Sequence, residues 1–329
     1  MRAITYTRFG PASDVLTLED LPTPDPAAGE VLVRLETSGV NPSDVKVRAG
    51  GRPGVTKPPF PLIIPHSDGA GVIEAVGEGI DQARVGERAW IWNGQWRRAF
   101  GTAAEYIALP AEQAVPLPDN AGFEQGAILG IPGLTAAHAV LGGGPVAGKT
   151  LLVSGGAGTV GHLAIQIARA SGARVLATAR GPEGVDAARA AGAEQVFDYS
   201  QPDLAAQILD VTNGTLFDRI VEVEFGMNVA TNTEVITEGG TIAAFGSARD
   251  MTPALPFYPL MFKAVRLDLL LIYLLRDDER RRAIAALTEL VNQDRLRFRV
   301  AQVLPLEACA RAHDIVASGA RAGSVLLRL

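Results

Sequence analysis

The chain has one cysteine, Cys309. That scarcity excludes an intrachain disulfide framework and fits a reducing compartment. Positive charge is also short: 30 Lys and Arg against 36 Asp and Glu give a formal net charge of −6. The overall basic footprint of a nucleic-acid binder is therefore missing. Long hydrophobic runs are absent too, since the most apolar late stretch, residues 255–275, is broken by Lys263, Arg266 and Asp268 and is too interrupted to span a membrane. The opening residues Met1-Arg2-Ala3-Ile4-Thr5-Tyr6 lack the apolar core of a secretory signal. These absences lead us to expect a cytoplasmic protein with neither a nucleic-acid nor a membrane partner.

What is present is ordinary globular material. The 329 residues are 47% hydrophobic and 20% charged, enough for about two domains with a core in each. The most informative stretch runs from Leu151 to Ala168. An apolar run meets a glycine cluster, and apolar residues then recur at Val160, Leu163, Ala164, Ile167 and Ala168, the spacing of one helical face. The turn carries G-x-G-x-x-G as Gly156, Gly158 and Gly161. In a strand, turn and helix these glycines permit a tight turn, close backbone approach to a pyrophosphate, and close helix-to-strand packing. The opening of the helix, including Thr159 and Val160, offers N–H groups and a positive dipole end to phosphate.

Before this motif the sequence reads as short strands (31–37, 69–76, 89–92 and 103–109) separated by proline-rich loops. From about residue 123 two helices are expected, the second over 132–141 with Pro132 in its first position. Strands and helices then alternate through residue 246, which predicts a parallel sheet with helices on both faces. Residues 265–275 read as a further apolar strand. It is either a buried sheet strand or an edge that pairs with its mate in a homodimer. A charge-rich amphipathic helix (277–292), a helix near 306–318 and a strand at 324–329 close the chain.

The chain resembles the medium-chain dehydrogenase/reductase superfamily, specifically its zinc-free quinone oxidoreductase branch. The motifs that carry this are Ser38-Gly39-Val40-Asn41-Pro42-Ser43-Asp44, Pro65-His66-Ser67-Asp68-Gly69-Ala70-Gly71-Val72, Val76-Gly77-Glu78-Gly79-Ile80 with Gly86-Glu87-Arg88, Gly101-Thr102-Ala103-Ala104-Glu105-Tyr106, the glycine turn, and Gly323-Ser324-Val325-Leu326. The resemblance implies an α/β fold: a doubly wound, parallel-sheet (Rossmann) cofactor domain at 125–272, and a mostly antiparallel β GroES-like catalytic domain from 1–124 and 273–329. Cofactor and substrate would meet between the two. The resemblance also implies that no zinc is held. One cysteine and four histidines cannot supply a four-thiolate structural site, and Ser38 stands where zinc-dependent relatives tend to carry cysteine.

The second strand of the cofactor fold ends Ala177-Thr178-Ala179-Arg180, without the carboxylate that binds a ribose 2′-hydroxyl. Arg180 offers a planar charged fork suited to a 2′-phosphate, so NADPH is the expected cofactor; a solvated surface arginine is the alternative. Tyr199 matches a tyrosine that relatives place near this phosphate. By resemblance, Asn41, Thr135, Phe245, Gly246, Ser247, Gly323 and Ser324 hold the nicotinamide half. Lys46 stands where many relatives carry tyrosine and is a candidate to polarise the substrate oxygen, with a solvated charge as the alternative. His66 replaces the usual glycine of its loop and is a candidate proton donor. Among the remaining histidines, His138 reads as a core residue and His313 as a surface one. Trp92, Asn93 and Gln95 sit in a tryptophan-rich run suited to a flat ring with polar oxygens. The reading that follows is NADPH-dependent hydride transfer to a quinone or related conjugated carbonyl. Its rivals are an enoyl or enone reductase of the same superfamily, and a non-catalytic NADPH-binding protein with a structural or nucleic-acid-binding role.

Overall fold

A computed structural model describes residues 1–51 and 54–329. The chain forms two compact units, one from Met1–Ile131 with Phe298–Leu329 and one from Pro132–Arg297.

The second unit is built on six parallel strands. Their order across the sheet is Gln195–Asp198, Arg174–Ala179, Thr150–Val153, Phe217–Glu222, Ile236–Ala244 and Arg266–Leu269. The first strand in sequence lies centrally and the chain winds outward on both sides, the doubly wound arrangement expected. Leu151, Leu152 and Val153 are buried on both faces of their strand, as a strand covered by helices on both sides requires.

The first unit holds a mixed sheet in the order Val300–Pro305, Ser324–Arg328, Glu30–Val40, Asp68–Val76, Arg88–Ile91 and Ala114–Pro116, with Tyr106–Pro110 also paired to Glu30–Val40. All its pairs are antiparallel except the one between the two C-terminal strands. Val325 lies opposite Val40 and Leu326 opposite Gly39, so the chain's end is built into the sheet begun near its start.

Three expectations need correction. The units change at 131/132 and 297/298 rather than at 124/125 and 272/273. The helix Phe123–Ile128 packs on the first unit's sheet, while the helix Asp277–Asn292 packs on Leu134–Leu141 of the second. Pro132 does not open a helix but lies within a π-helical turn, Leu129–Gly133, that precedes the helix Leu134–Leu141. The strand expected over 265–275 ends at Leu269; a 3-10 turn over Ile272–Leu274 follows and meets its own backbone bonding, with Leu274 N–H donating to the Leu271 carbonyl. No helix among the described residues is long and apolar enough to cross a membrane.

Candidate functional site

In the second unit the glycine turn joins the strand Thr150–Val153 to the helix Thr159–Ala170, with Gly158 as N-cap. Its three glycines are needed for different reasons. A β-carbon on Gly156 would meet Ile165, Ala177 and Ala188 side chains at 2.9–3.1 Å, and one on Gly161 would stand 2.3 Å from the Gly155 carbonyl oxygen. Gly158 has φ −74°, open to any residue. Its β-carbon would meet protein only at 3.3 Å, at the same carbonyl. Packing therefore explains Gly156 and Gly161, whereas the space over Gly158 is what a phosphate needs.

The turn is braced from below. Gly156 N–H donates to the Thr178 carbonyl at 2.8 Å. The Ser154 hydroxyl donates at 2.8 Å to the Glu222 carboxylate, which also accepts from Asn228 Nδ2, Asn232 Nδ2 and the Glu224 N–H. Glu222 is fully buried, at the end of the neighbouring strand Phe217–Glu222. The carboxylate thus ties together the ends of the two strands that flank the sheet's switch point.

Arg180 is exposed at the N-cap of the helix Gly181–Ala190, and Tyr199 follows the adjacent strand with its N–H on the Ala179 carbonyl. Sequence reasoning missed Asp198. Its Oδ2 accepts from Gly181 N–H at 3.1 Å and its Oδ1 from Ser200. Those Ser200 hydrogen bonds, then Gly181 and the Arg180 charge, hold its carboxyl below the usual range. A carboxylate therefore lies beside Arg180 after all, supplied by the third strand rather than the second. Gly246 and Ser247 shape a neighbouring loop: a β-carbon on Gly246 would stand 2.3 Å from the Val223 carbonyl. The Ser247 hydroxyl accepts from Gly226 N–H and donates to the Asp250 carbonyl. Phe245 N–H donates to the Glu222 carbonyl, and Thr135 is buried in the helix Leu134–Leu141.

In the first unit Asn41 is the N-cap of the helix Pro42–Arg48. Its side-chain amide donates at 2.8 Å to Asp68, whose other oxygen accepts from Ile131 N–H at 2.8 Å. Asp68 is fully buried, and burial first, then nearby Asp44, raises its carboxyl well above the usual range. Lys46 is exposed on that helix and has no ion pair or side-chain hydrogen bond among the described residues.

Trp92 is buried, with its indole N–H on the Glu112 carbonyl. Asn93 turns the chain with φ +53°, and Gln113 holds the Trp92 and Asn93 carbonyls. The Asn93 side-chain amide has no partner among the described residues, whereas Gln95 spends its amide on the Arg98 carbonyl. Gly323 adopts φ +144° against the Arg299 carbonyl, and the Ser324 N–H donates to that carbonyl.

Two histidine expectations are overturned. His66 is buried, with Nδ1 3.0 Å from the Ser38 hydroxyl and Nε2 2.9 Å from His313 Nε2. Burial, and to a lesser extent His313, holds its pKa well below the ordinary value, so it is neither accessible nor charged as a proton donor must be. His313 is not on the surface but fully buried in the helix Cys309–Ser318. The available signal was the Cys309, His313 spacing, which puts both side chains on one helical face. His138 is buried, as a core residue should be.

Comparison with known proteins agrees with this geometry. Residues 27–119 match the family model described as alcohol dehydrogenase GroES-like domain, and residues 159–289 the one described as zinc-binding dehydrogenase. The quinone oxidoreductase of Sus scrofa is 32% identical over 100% of this chain and 98% of its own. The chain belongs to the quinone oxidoreductase branch of the medium-chain dehydrogenase/reductase superfamily. Among solved structures, a mycobacterial protein complexed with NADPH shares 29% identity at TM-score 0.87, covering 100% of both chains. An NAD-dependent alcohol dehydrogenase of known structure shares 30% at TM-score 0.88, again over 100% of both chains. These two solved structures are thus described with different nicotinamide cofactors. Ser38, at the position where zinc-dependent relatives tend to carry cysteine, has its hydroxyl hydrogen-bonded to His66 Nδ1 and to the Thr102 hydroxyl. The chain's one cysteine, Cys309, has its Sγ 3.9 Å from His66 Nε2.

Proposed function

We propose that this chain is an NADPH-dependent reductase that transfers hydride to a quinone or related conjugated carbonyl without zinc. The carrying observation is the turn from Gly156 to Gly161, in which a β-carbon on Gly158 would have one protein neighbour within 4 Å, the Gly155 carbonyl at 3.3 Å, which leaves its other side for a pyrophosphate. Arg180, with no carboxylate closing its own strand, supports NADPH over NADH. A bound nicotinamide supplies the hydride. The protein's part is to fix the cofactor through the glycine turn and to stabilise the anion left on the acceptor. The uncommitted Asn93 amide, next to the apolar Trp92, suits an acceptor that is flat and apolar with polar oxygens. Lys46 is a second donor for that oxygen, and solvent supplies the proton.

The test follows NADPH absorbance with purified protein against quinones, enones, enoyl thioesters and aldehydes. Turnover of quinones supports this reading. Turnover of enones without quinones reassigns the chain to the alkene reductases of the same superfamily, and cofactor binding with no turnover anywhere favours a non-catalytic role.

We also propose that the chain is a homodimer in the cytoplasm, joined at the strand Arg266–Leu269. That strand is one of the two edge strands of its sheet. Leu269 and Phe262 beside it are 71% and 79% exposed, a hazard for a lone chain unless the edge is covered. Leu269→Glu with Phe262→Glu should halve the mass measured by light scattering; an unchanged mass rejects this interface.

A further inference from the structure

Three side chains of the first unit come together in its core, and of them only His66 was assigned a role above. His66, Cys309 and His313 each offer a ligand atom, and these atoms all lie within 4.8 Å of one another. His66 Nε2 is 2.9 Å from His313 Nε2 and 3.9 Å from Cys309 Sγ. Cys309 and His313 are both 0% exposed and His66 1%.

The hydrogen bonds around them decide where each proton sits. Thr102 Oγ1 donates to the Asp68 carbonyl at 2.6 Å, so its single hydrogen is committed. The 2.8 Å contact between Thr102 and Ser38 hydroxyls must then carry the Ser38 hydrogen. With that hydrogen spent, the 3.0 Å contact from Ser38 to His66 needs a proton on His66 Nδ1. Both rings are kept neutral by burial. His66 Nε2 is therefore a bare lone pair, and His313 Nε2 carries the hydrogen between them. His313 Nδ1 is left with no partner among the described residues. A ring whose Nδ1–H is fixed by a hydroxyl, so that Nε2 is free to bind, is the arrangement metal-ligating histidines adopt.

The backbone supports the same conclusion. His66 has φ +77°, a conformation natural to glycine and costly for a side chain of this size. The strain is carried where the ring reaches the cluster.

We propose that His66 Nε2, His313 Nε2 and Cys309 Sγ form a three-coordinate site for monovalent copper. Bonds of about 2.0–2.1 Å to nitrogen and about 2.3 Å to sulfur place such ligands roughly 3.3–3.8 Å apart at trigonal or tetrahedral angles. The observed 2.9 Å and 3.9 Å straddle that interval and the remaining separation is at most 4.8 Å, so side-chain adjustment has to draw the three donors onto one ion. Two imidazoles and a thiolate are soft enough for copper(I) or zinc. Charge chooses between them: copper(I) with one thiolate is neutral, whereas zinc would leave a net positive charge buried near Arg48, which costs more. On binding, the Cys309 S–H bond breaks, the sulfur–copper bond forms and one proton leaves to solvent. His313 keeps its proton, moved from Nε2 to Nδ1. The copper changes no oxidation state.

The experiment titrates the full-length protein anaerobically with copper(I) against a chromogenic copper(I) chelator, with zinc in a parallel arm, and reads metal per chain and X-ray absorption at the copper edge. One copper(I) per chain, with one sulfur and two nitrogen neighbours, is expected. Cys309→Ala should abolish the sulfur neighbour. Ser38→Ala, which removes only the group that orients His66, should weaken affinity about 10–100-fold. No stoichiometric copper(I) in the wild-type chain, or equal copper in Cys309→Ala, overturns the site. Binding in the zinc arm alone overturns the assignment to copper. Circular dichroism of each variant separates loss of the site from loss of the fold.

Discussion

The α-carbon of Gly161 faces the carbonyl oxygen of Gly155 so closely that a β-carbon there would stand 2.3 Å from it. The first turn of the helix is pressed onto the loop that precedes it, and this contact aims the helix's positive end at the loop's open side. Gly158, on that open side, has no comparable constraint. The two glycines therefore separate the requirements of the fold from those of the ligand.

That separation predicts different outcomes for the same substitution. Gly158→Ala should change unfolding free energy by no more than about 0.5–1 kcal/mol, yet weaken NADPH binding at least about tenfold, because the methyl group occupies the phosphate's space. Gly161→Ala should cost about 2 kcal/mol or more. Urea denaturation alongside NADPH fluorescence titration checks both. If both variants bind NADPH as the parent does, the turn is not the phosphate site.

Cofactor choice rests on Arg180 and its neighbour Asp198. Arg180→Asp should raise the NADPH dissociation constant about tenfold or more and leave that of NADH within about threefold, since only NADPH carries the 2′-phosphate. Asp198→Asn should act in the opposite direction, tightening NADPH by removing a negative charge beside the phosphate. Equal effects on the two cofactors would show that neither residue faces the ribose.

How far the sequence disclosed this is clearest around these same residues. The turn, its strand and its helix were legible because glycine spacing and apolar periodicity are local signals, and Arg180 followed from counting along one strand. Asp198 was not legible: it reaches Arg180 only because the third strand lies beside the second, a pairing between distant segments. The same holds for Asp68 behind Asn41 and for Glu222 beneath Ser154. His313 was misread for another reason. Its helix was recognised, but which face turned inward depended on packing against Ser324–Arg328, which periodicity in a short amphipathic segment does not fix. The overlong strand at 265–275 shows the limit of apolarity itself, since Leu269, Leu271 and Leu274 are exposed while Leu270, Ile272 and Tyr273 are buried.

Glu222 gives a stability prediction. Its two oxygens accept four hydrogen bonds in a fully buried setting, so Glu222→Gln must turn an N–H toward at least one donor. A cost of about 1–3 kcal/mol follows from leaving buried groups unpaired. Because Ser154 opens the glycine turn, NADPH affinity should fall in the same variant. Unchanged denaturation and unchanged affinity would show the carboxylate to be dispensable.

The buried histidine pair sets a pH dependence whose sign follows from its environment. Burial, and secondarily the Arg48 charge, lowers His313 to about 3, and His66 is held well below its ordinary value by burial and by His313. In the unfolded chain both titrate near about 6.5. Below that pH the unfolded state binds protons that the folded state refuses, so stability is fully present above about 6.5 and is lost as the pH falls toward about 3. Each histidine contributes a slope of about 1.4 kcal/mol per pH unit once its unfolded form is charged. Denaturant melts of chelator-treated protein between pH 5 and 8 should show this loss, and His313→Gln should flatten it by about one proton's worth. A parent and variant with parallel profiles would mean that His313 is protonated in the folded chain at these pH values, and would overturn this reading of the pair.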